Sequence, residues 1–218
     1  MDLDYWLPRP SAPTSAALRD RFDEVLESAL ANGPDQPADY RLDAPKWQFL
    51  CHVADRGDHV LHGSGNPGIT EFTPRSPRDM TEFGARHAVY AAADGLWPIF
   101  YATLDRERVR LSMCNGCVHT GGGARYYFSI SAPALARRPW RTGTVYLLPS
   151  GTFEPEPSDG EIRSVQAASP VPVRPVAKFT VTPADFPFLH DVHGHDDEAL
   201  TARALADPHG FPWHVPSS

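Results

Sequence analysis

The chain has 218 residues, 41% of them apolar and 22% charged, with a formal net charge of −7. That length supports a sizeable core and a single domain, and the acidic balance leaves no basic footprint for a nucleic-acid backbone. No stretch reaches the roughly 20 apolar residues of a membrane span, the start MDLDYWLPRP lacks the basic and then apolar order of a secretion signal, and three cysteines are too few for a disulfide scaffold, so a cytoplasmic protein with reduced thiols and no membrane partner is expected.

In chain order, TSAALRDRFDEVLESALANG carries Leu18, Phe22, Val25, Leu26 and Leu30 at helical spacing, with Ser15 or Thr14 placed to cap and Gly33 to stop. A proline-rich connector leads to APKWQFLCHVADRG, a short helix that starts at Pro45 and closes at Gly57. Residues 1–58 therefore read as a helical N-terminal extension. From His59 onward the pattern changes to short apolar or alternating runs bounded by Gly, Pro and Asp, namely HVLHG, HAVYAAA, RVRLSM, ARYYFSIS, GTVYLLP, EIRSV and PVAKFTV, and each is expected to be a strand. One helix interrupts them, DGLWPIFYATLDR, with Asp94 placed to cap and Leu96, Ile99, Phe100 and Leu104 sharing a face. The expected class is α+β, with curved, mainly antiparallel sheets and a few helices. Residues 186–218 read as a C-terminal tail whose last residues, HVPSS, fray.

Three segments hold chemistry-bearing residues in a fixed order: LHGSG at 61–65, AVYAAADGLWPIFYA at 88–102, and GEIRSVQAASPVPVRPVAKFTV at 160–181. In order and type they resemble the motifs of the ADP-ribosyltransferase superfamily, in its histidine, tyrosine and glutamate branch. His62, Gly63 and Ser64 match the first motif, Tyr90 and the segment from Asp94 the second, and Glu161 with the run up to Val181 the third. The resemblance covers residues 59–185, and its specificity lies in the order of motifs that are degenerate singly. It implies a split-sheet fold with an NAD-binding cleft, NAD as substrate, and transfer of ADP-ribose to an acceptor that the sequence leaves open between protein, nucleic acid and small molecule. Water as acceptor, which would make the protein an NAD glycohydrolase, and a non-catalytic ligand-binding module on the same fold are the alternatives.

The chemistry points to the same residues. Breaking the nicotinamide–ribose bond develops positive charge on the sugar, which a nearby carboxylate stabilises, and Glu161 is the candidate. Tyr90, with Tyr101 as a second candidate, offers an aromatic face to the planar nicotinamide. A ribose hydroxyl suits His62, Gly63 permits backbone contact with the carboxamide, and Ser64 can bond the adjoining ribose or the glutamate. Arg75, Arg78 and Arg86 lie between the first two motifs, where a guanidinium can hold the pyrophosphate.

Each residue also has an ordinary structural reading. His-Gly at a strand end is commonly a turn, Tyr90 suits a half-buried strand, and Glu161 follows the acidic turn EPEPSD, where Glu154 and Glu156 are rival carboxylates and Asp159 stands where many transferases have a glutamate or glutamine. Cys114, Cys117 and His119 in MCNGCVH have zinc-like spacing, and His190, His193 and His195 lie some 70 residues on. A hairpin turn centred on Asn-Gly in CNGC explains that segment more simply, so no metal is expected. TGGGARYYF reads as a flexible glycine loop leading into a strand.

Overall fold

The computed structural model describes residues 5–77, 81–106, 112–158, 160–207 and 210–213. It begins with a short strand β1 (Leu7–Pro8) and two helices, α1 (Ala16–Asn32) and α2 (Lys46–Asp55). Helix α1 starts where the Ser15 hydroxyl accepts the Leu18 N–H at 3.1 Å, and it stops at Gly33, whose φ of 73° reverses the chain. Its stripe of Phe22, Leu26 and Ala29 is buried, as are Phe49, Leu50 and Val53 of α2. The order continues β2 (His59–Ser64), β3 (Val89–Ala92), α3 (Trp97–Thr103), β4 (Met113–Thr120), β5 (Gly123–Ser131), α4 (Ala132–Leu135), β6 (Gly143–Pro149), β7 (Glu154–Pro155), β8 (Arg163–Ser164), β9 (Gln166–Ser169), β10 (Ala177–Val181), β11 (His193–His195) and α5 (Asp197–Ala206). The class is thus α+β with two mainly antiparallel sheets.

The larger sheet runs β10-β6-β2-β3-β9-β7, antiparallel throughout. The strand of the first motif, β2, sits between β6 and β3, the strand of the second. The other sheet runs β1-β5-β4-β8, and β11 joins the β1 side of β5 in parallel. Alternation decides the faces. Leu61, Val145, Leu147 and Phe179 turn inward to a core shared with all three leading helices and with Tyr126, Phe128 and Ile130 of β5, whereas Val60, Tyr146 and Leu148 pack on the outer face with Phe72.

Two glycines seat α3 on this sheet. A Cβ at Gly63 would overlap the Pro98 carbonyl oxygen, and one at Gly143 would overlap that of Ala102. The helix backbone therefore rests directly on β2 and β6, at a distance no other residue permits. At its N-terminus, Asp94 Oδ1 accepts the Leu96 and Trp97 N–H groups, both at 2.8 Å, as expected of a cap.

Three local expectations change. Asn115 and Gly116 do not form a turn; they pair with Phe128 and Tyr127 inside β4, and the hairpin turns at Gly121 and Gly122 instead. The supposed glycine loop is therefore that turn. The strand read from RVRLSM lies largely outside the described residues, with Met113 opening β4. Residues 186–218 contribute β11, α5 and the buried Phe186 and Phe188 rather than a tail alone, while HVPSS lies outside the described residues.

Candidate functional site

A cavity of about 420 Å³ opens where β2, β3 and α3 meet, a volume within the range of small-molecule sites. His62, Gly63, Tyr90 and Tyr101 all line it, together with Trp97, Arg106, Met113 and Gln166. Residues from the first two quoted motifs thus converge on one space.

His62 is fixed by its neighbour strand. Its Nδ1 lies 2.7 Å from the Tyr90 carbonyl oxygen, which can only accept, so Nδ1 carries the proton. Burial pushes the imidazole below its usual pKa; the bond to Tyr90 opposes that shift, and the positive charges of Arg106 and Arg75 add to it. The ring is therefore neutral at pH 7, and Nε2 is left as a hydrogen-bond acceptor. Tyr90 is tethered too, its hydroxyl donating to the Phe83 carbonyl at 2.7 Å with the Arg86 carbonyl 2.9 Å away.

The opposite wall comes from α3. Trp97 Nε1 and the Tyr101 hydroxyl both donate to Asn115 Oδ1, at 2.6 and 2.9 Å, so one strand residue of the second sheet orients two aromatic rings. Behind them Asp94, fully buried, accepts from the Tyr126 hydroxyl at 2.7 Å and from Arg9 Nη2 at 2.9 Å. Arg9 follows β1 and also holds Asp55. The start of the chain thereby braces the helix that walls the cavity.

The other anticipated residues lie elsewhere. Ser64 accepts the Asn66 N–H at 3.1 Å in a turn and does not line the cavity. Arg75 is exposed, with its backbone paired to Ala88, and Arg86 sits over the Phe83 ring. Arg78 and Asp159 lie outside the described residues. Glu161 is exposed and precedes β8, where Arg163 pairs with His119. Met113, at the cavity end of β4, is roughly 20 Å of strand from His119, and Glu161 does not line the cavity. The resemblance expected a carboxylate beside the ribose, and among the described residues none lines this space.

Gln166 occupies the near side instead. Val165 donates its N–H to Cys117 of β4 at 3.2 Å and accepts at its carbonyl from Ala93 at 2.8 Å, so the chain passes there from the second sheet into the first. The next residue, Gln166, pairs with Ala92 and brings a side-chain amide to the cavity. Alternation within β9 carried that signal, since Gln166 and Ala168, opposite Ala92 and Tyr90, share one strand face.

Cys114 and Cys117, three apart on a strand, face different clusters: Cys114 packs with Trp6 and Tyr127, Cys117 with Tyr126 and Phe128. They cannot hold one ion together, and among the described residues no three His, Cys, Asp or Glu side chains gather as a metal-binding group. Among those residues no helix is long and apolar enough to cross a membrane. The chain matches no protein-family model, no curated protein and no solved structure.

Proposed function

We propose that the protein binds NAD in this cavity, cleaves the nicotinamide–ribose bond and transfers ADP-ribose to an acceptor. The observation that carries the reading is the convergence of His62 and Gly63 with Tyr90 and Tyr101 around one cavity. Two aromatic rings suit a planar nicotinamide, and neutral His62, with Nδ1–H committed to Tyr90, suits a ribose hydroxyl at Nε2. The bond that breaks leaves its electron pair on the nicotinamide nitrogen and positive charge on the sugar. In this reading the amide oxygen of Gln166 faces that charge, a dipole in the place where the resemblance implies a carboxylate, and Glu161 has no part in the step. A dipole stabilises less than a full charge, so slow turnover is expected.

The lining also favours a second reading, a module that binds the ligand without cleaving it, because no carboxylate of the described residues reaches the sugar. Nicotinamide release from NAD, measured with and without cell lysate, separates the two. Release abolished by Gln166→Ala and untouched by Glu161→Ala supports the transferase, and release in buffer alone makes water the acceptor. Tight NAD binding with no release under either condition supports the module. Absence of NAD binding by calorimetry overturns both.

A further inference from the structure

Arg106 follows α3 and lines the cavity with its guanidinium carbon 6.0 Å from the centre of the Tyr101 ring. That ring is not free to turn away, because its hydroxyl donates to Asn115. At that distance the ring holds the charge near the cavity by a cation–π contact, which uses none of the guanidinium N–H groups as hydrogen-bond donors. Nearby Arg141 is engaged, pairing with Asp105 and donating to the Gly65 carbonyl. By contrast, Arg106 forms no ion pair with any carboxylate of the described residues.

Arg75 carries a second charge but does not line the cavity. It precedes β3 in a stretch paired with Ala88, its side chain is exposed, and it too has no ion pair with a described carboxylate. Burial is the main cause of the lowered His62 pKa, and the charges of Arg106 and Arg75 act in the same direction. No described carboxylate in the lining stands against the Arg106 charge.

We infer that the mouth of the cavity is an oxyanion subsite, with Arg106 as its ligand, which selects phosphorylated ligands over the matching nucleosides. The inference rests on reading this cavity as the ligand site and goes beyond that reading in assigning the phosphate to Arg106. Charged donors to phosphate are the stronger class of hydrogen bond and are geometrically selective when the donor is a guanidinium. The nicotinamide nucleoside, a pyridinium cation without phosphate, would meet the aromatic wall but leave Arg106 unused.

The test is calorimetric titration of the full chain with NAD, with nicotinamide riboside and with inorganic pyrophosphate, for wild type, Arg106→Gln and Arg106→Lys. Arg106 is exposed, so these variants keep the fold, and melting curves check that. Wild type should bind pyrophosphate and should prefer NAD to nicotinamide riboside. Arg106→Gln should weaken NAD and pyrophosphate by about 10-fold or more while nicotinamide riboside, a cation, binds no more weakly than before, and Arg106→Lys should restore part of the loss. Raised salt should weaken both anions. Pyrophosphate binding that depends on Arg106 in a protein that ignores NAD keeps the subsite and removes the NAD reading. NAD bound no more tightly than nicotinamide riboside, or equally by wild type and Arg106→Gln, overturns the subsite while the NAD reading survives. Binding of neither phosphorylated probe overturns it as well.

Discussion

Replacing Gly63 with alanine asks how closely α3 rests on β2. The added Cβ would overlap the Pro98 carbonyl oxygen and stand 2.8 Å from its carbon and 2.9 Å from the Ala102 nitrogen. Carbon contacts are comfortable near 3.5–4.0 Å, and the overlapping oxygen is the nearest obstacle, so the helix must retreat by about 1.5 Å. All three obstacles are backbone atoms, and no side-chain rotation relieves them. Overpacking a core costs about 1–3 kcal/mol, and a rigid backbone on both sides places this variant near ~3 kcal/mol. For a chain of this size that is a loss of about 6–12 °C in melting temperature. The retreat also moves Trp97 and Tyr101, so ligand affinity should fall with stability. Differential scanning calorimetry of Gly63→Ala beside Gly151→Ala is the assay, since nothing lies within 4 Å of a Cβ at Gly151. If the two variants melt within about 2 °C of each other, the close seating of α3 is wrong and the wall of the cavity is not set by Gly63.

Asp94→Asn leaves Arg9 partly buried beside a neutral amide and should destabilise the fold by on the order of 3 kcal/mol in urea unfolding, with Arg9→Met costing at least as much because it strands the fully buried Asp94 carboxylate without its cation. Burial lowers the folded-state pKa of His62, His59 and His195 below the value of 6.5 usual for histidine. The unfolded chain thus binds the extra protons, so stability is complete above that value and declines as the pH falls below it; His62→Gln should flatten the decline in urea midpoints measured against pH. Burial pushes the Cys51 and Cys117 thiols well up and the Cys114 thiol to about 12. Ellman's reagent at pH 8 should therefore find no reactive thiol in the native protein and all three in denaturant.

Local pattern carried much of the architecture. GTVYLLP is β6 residue for residue, Ser15 and Gly33 bound α1, and Asp94 caps α3, because each of these depends on alternation or on a side chain bonding its own neighbourhood. The first half of the site was legible for the same reason: His62 and Tyr90 fall on adjacent strands whose order is simple. What failed was decided at a distance. Asn-Gly is a strong turn signal, yet Asn115 is kept in a strand by pairing with Phe128 and by bonds to two rings on α3, a case of tertiary contact overriding propensity. Glu161 and Gln166 are five residues apart, and nothing local in EIRSVQ says that the chain changes sheets between them. Residues 193–206 looked like a tail because β11 is three residues long and pairs only with β5, which lies more than 60 residues back.

The crossing at Val165 has a mechanical consequence. A single residue bonds Cys117 on one side and Ala93 on the other, so the two sheets share a pivot rather than a loose connector. Gln166 is the first side chain past that pivot, and it cannot stay still while the sheets rock. Widening the cleft must either break one of those two bonds or swing the Gln166 amide with the moving sheet. The amide protons of Ala93 and Val165 should therefore exchange with solvent together, in one opening event, and a ligand gripping Gln166 should slow both.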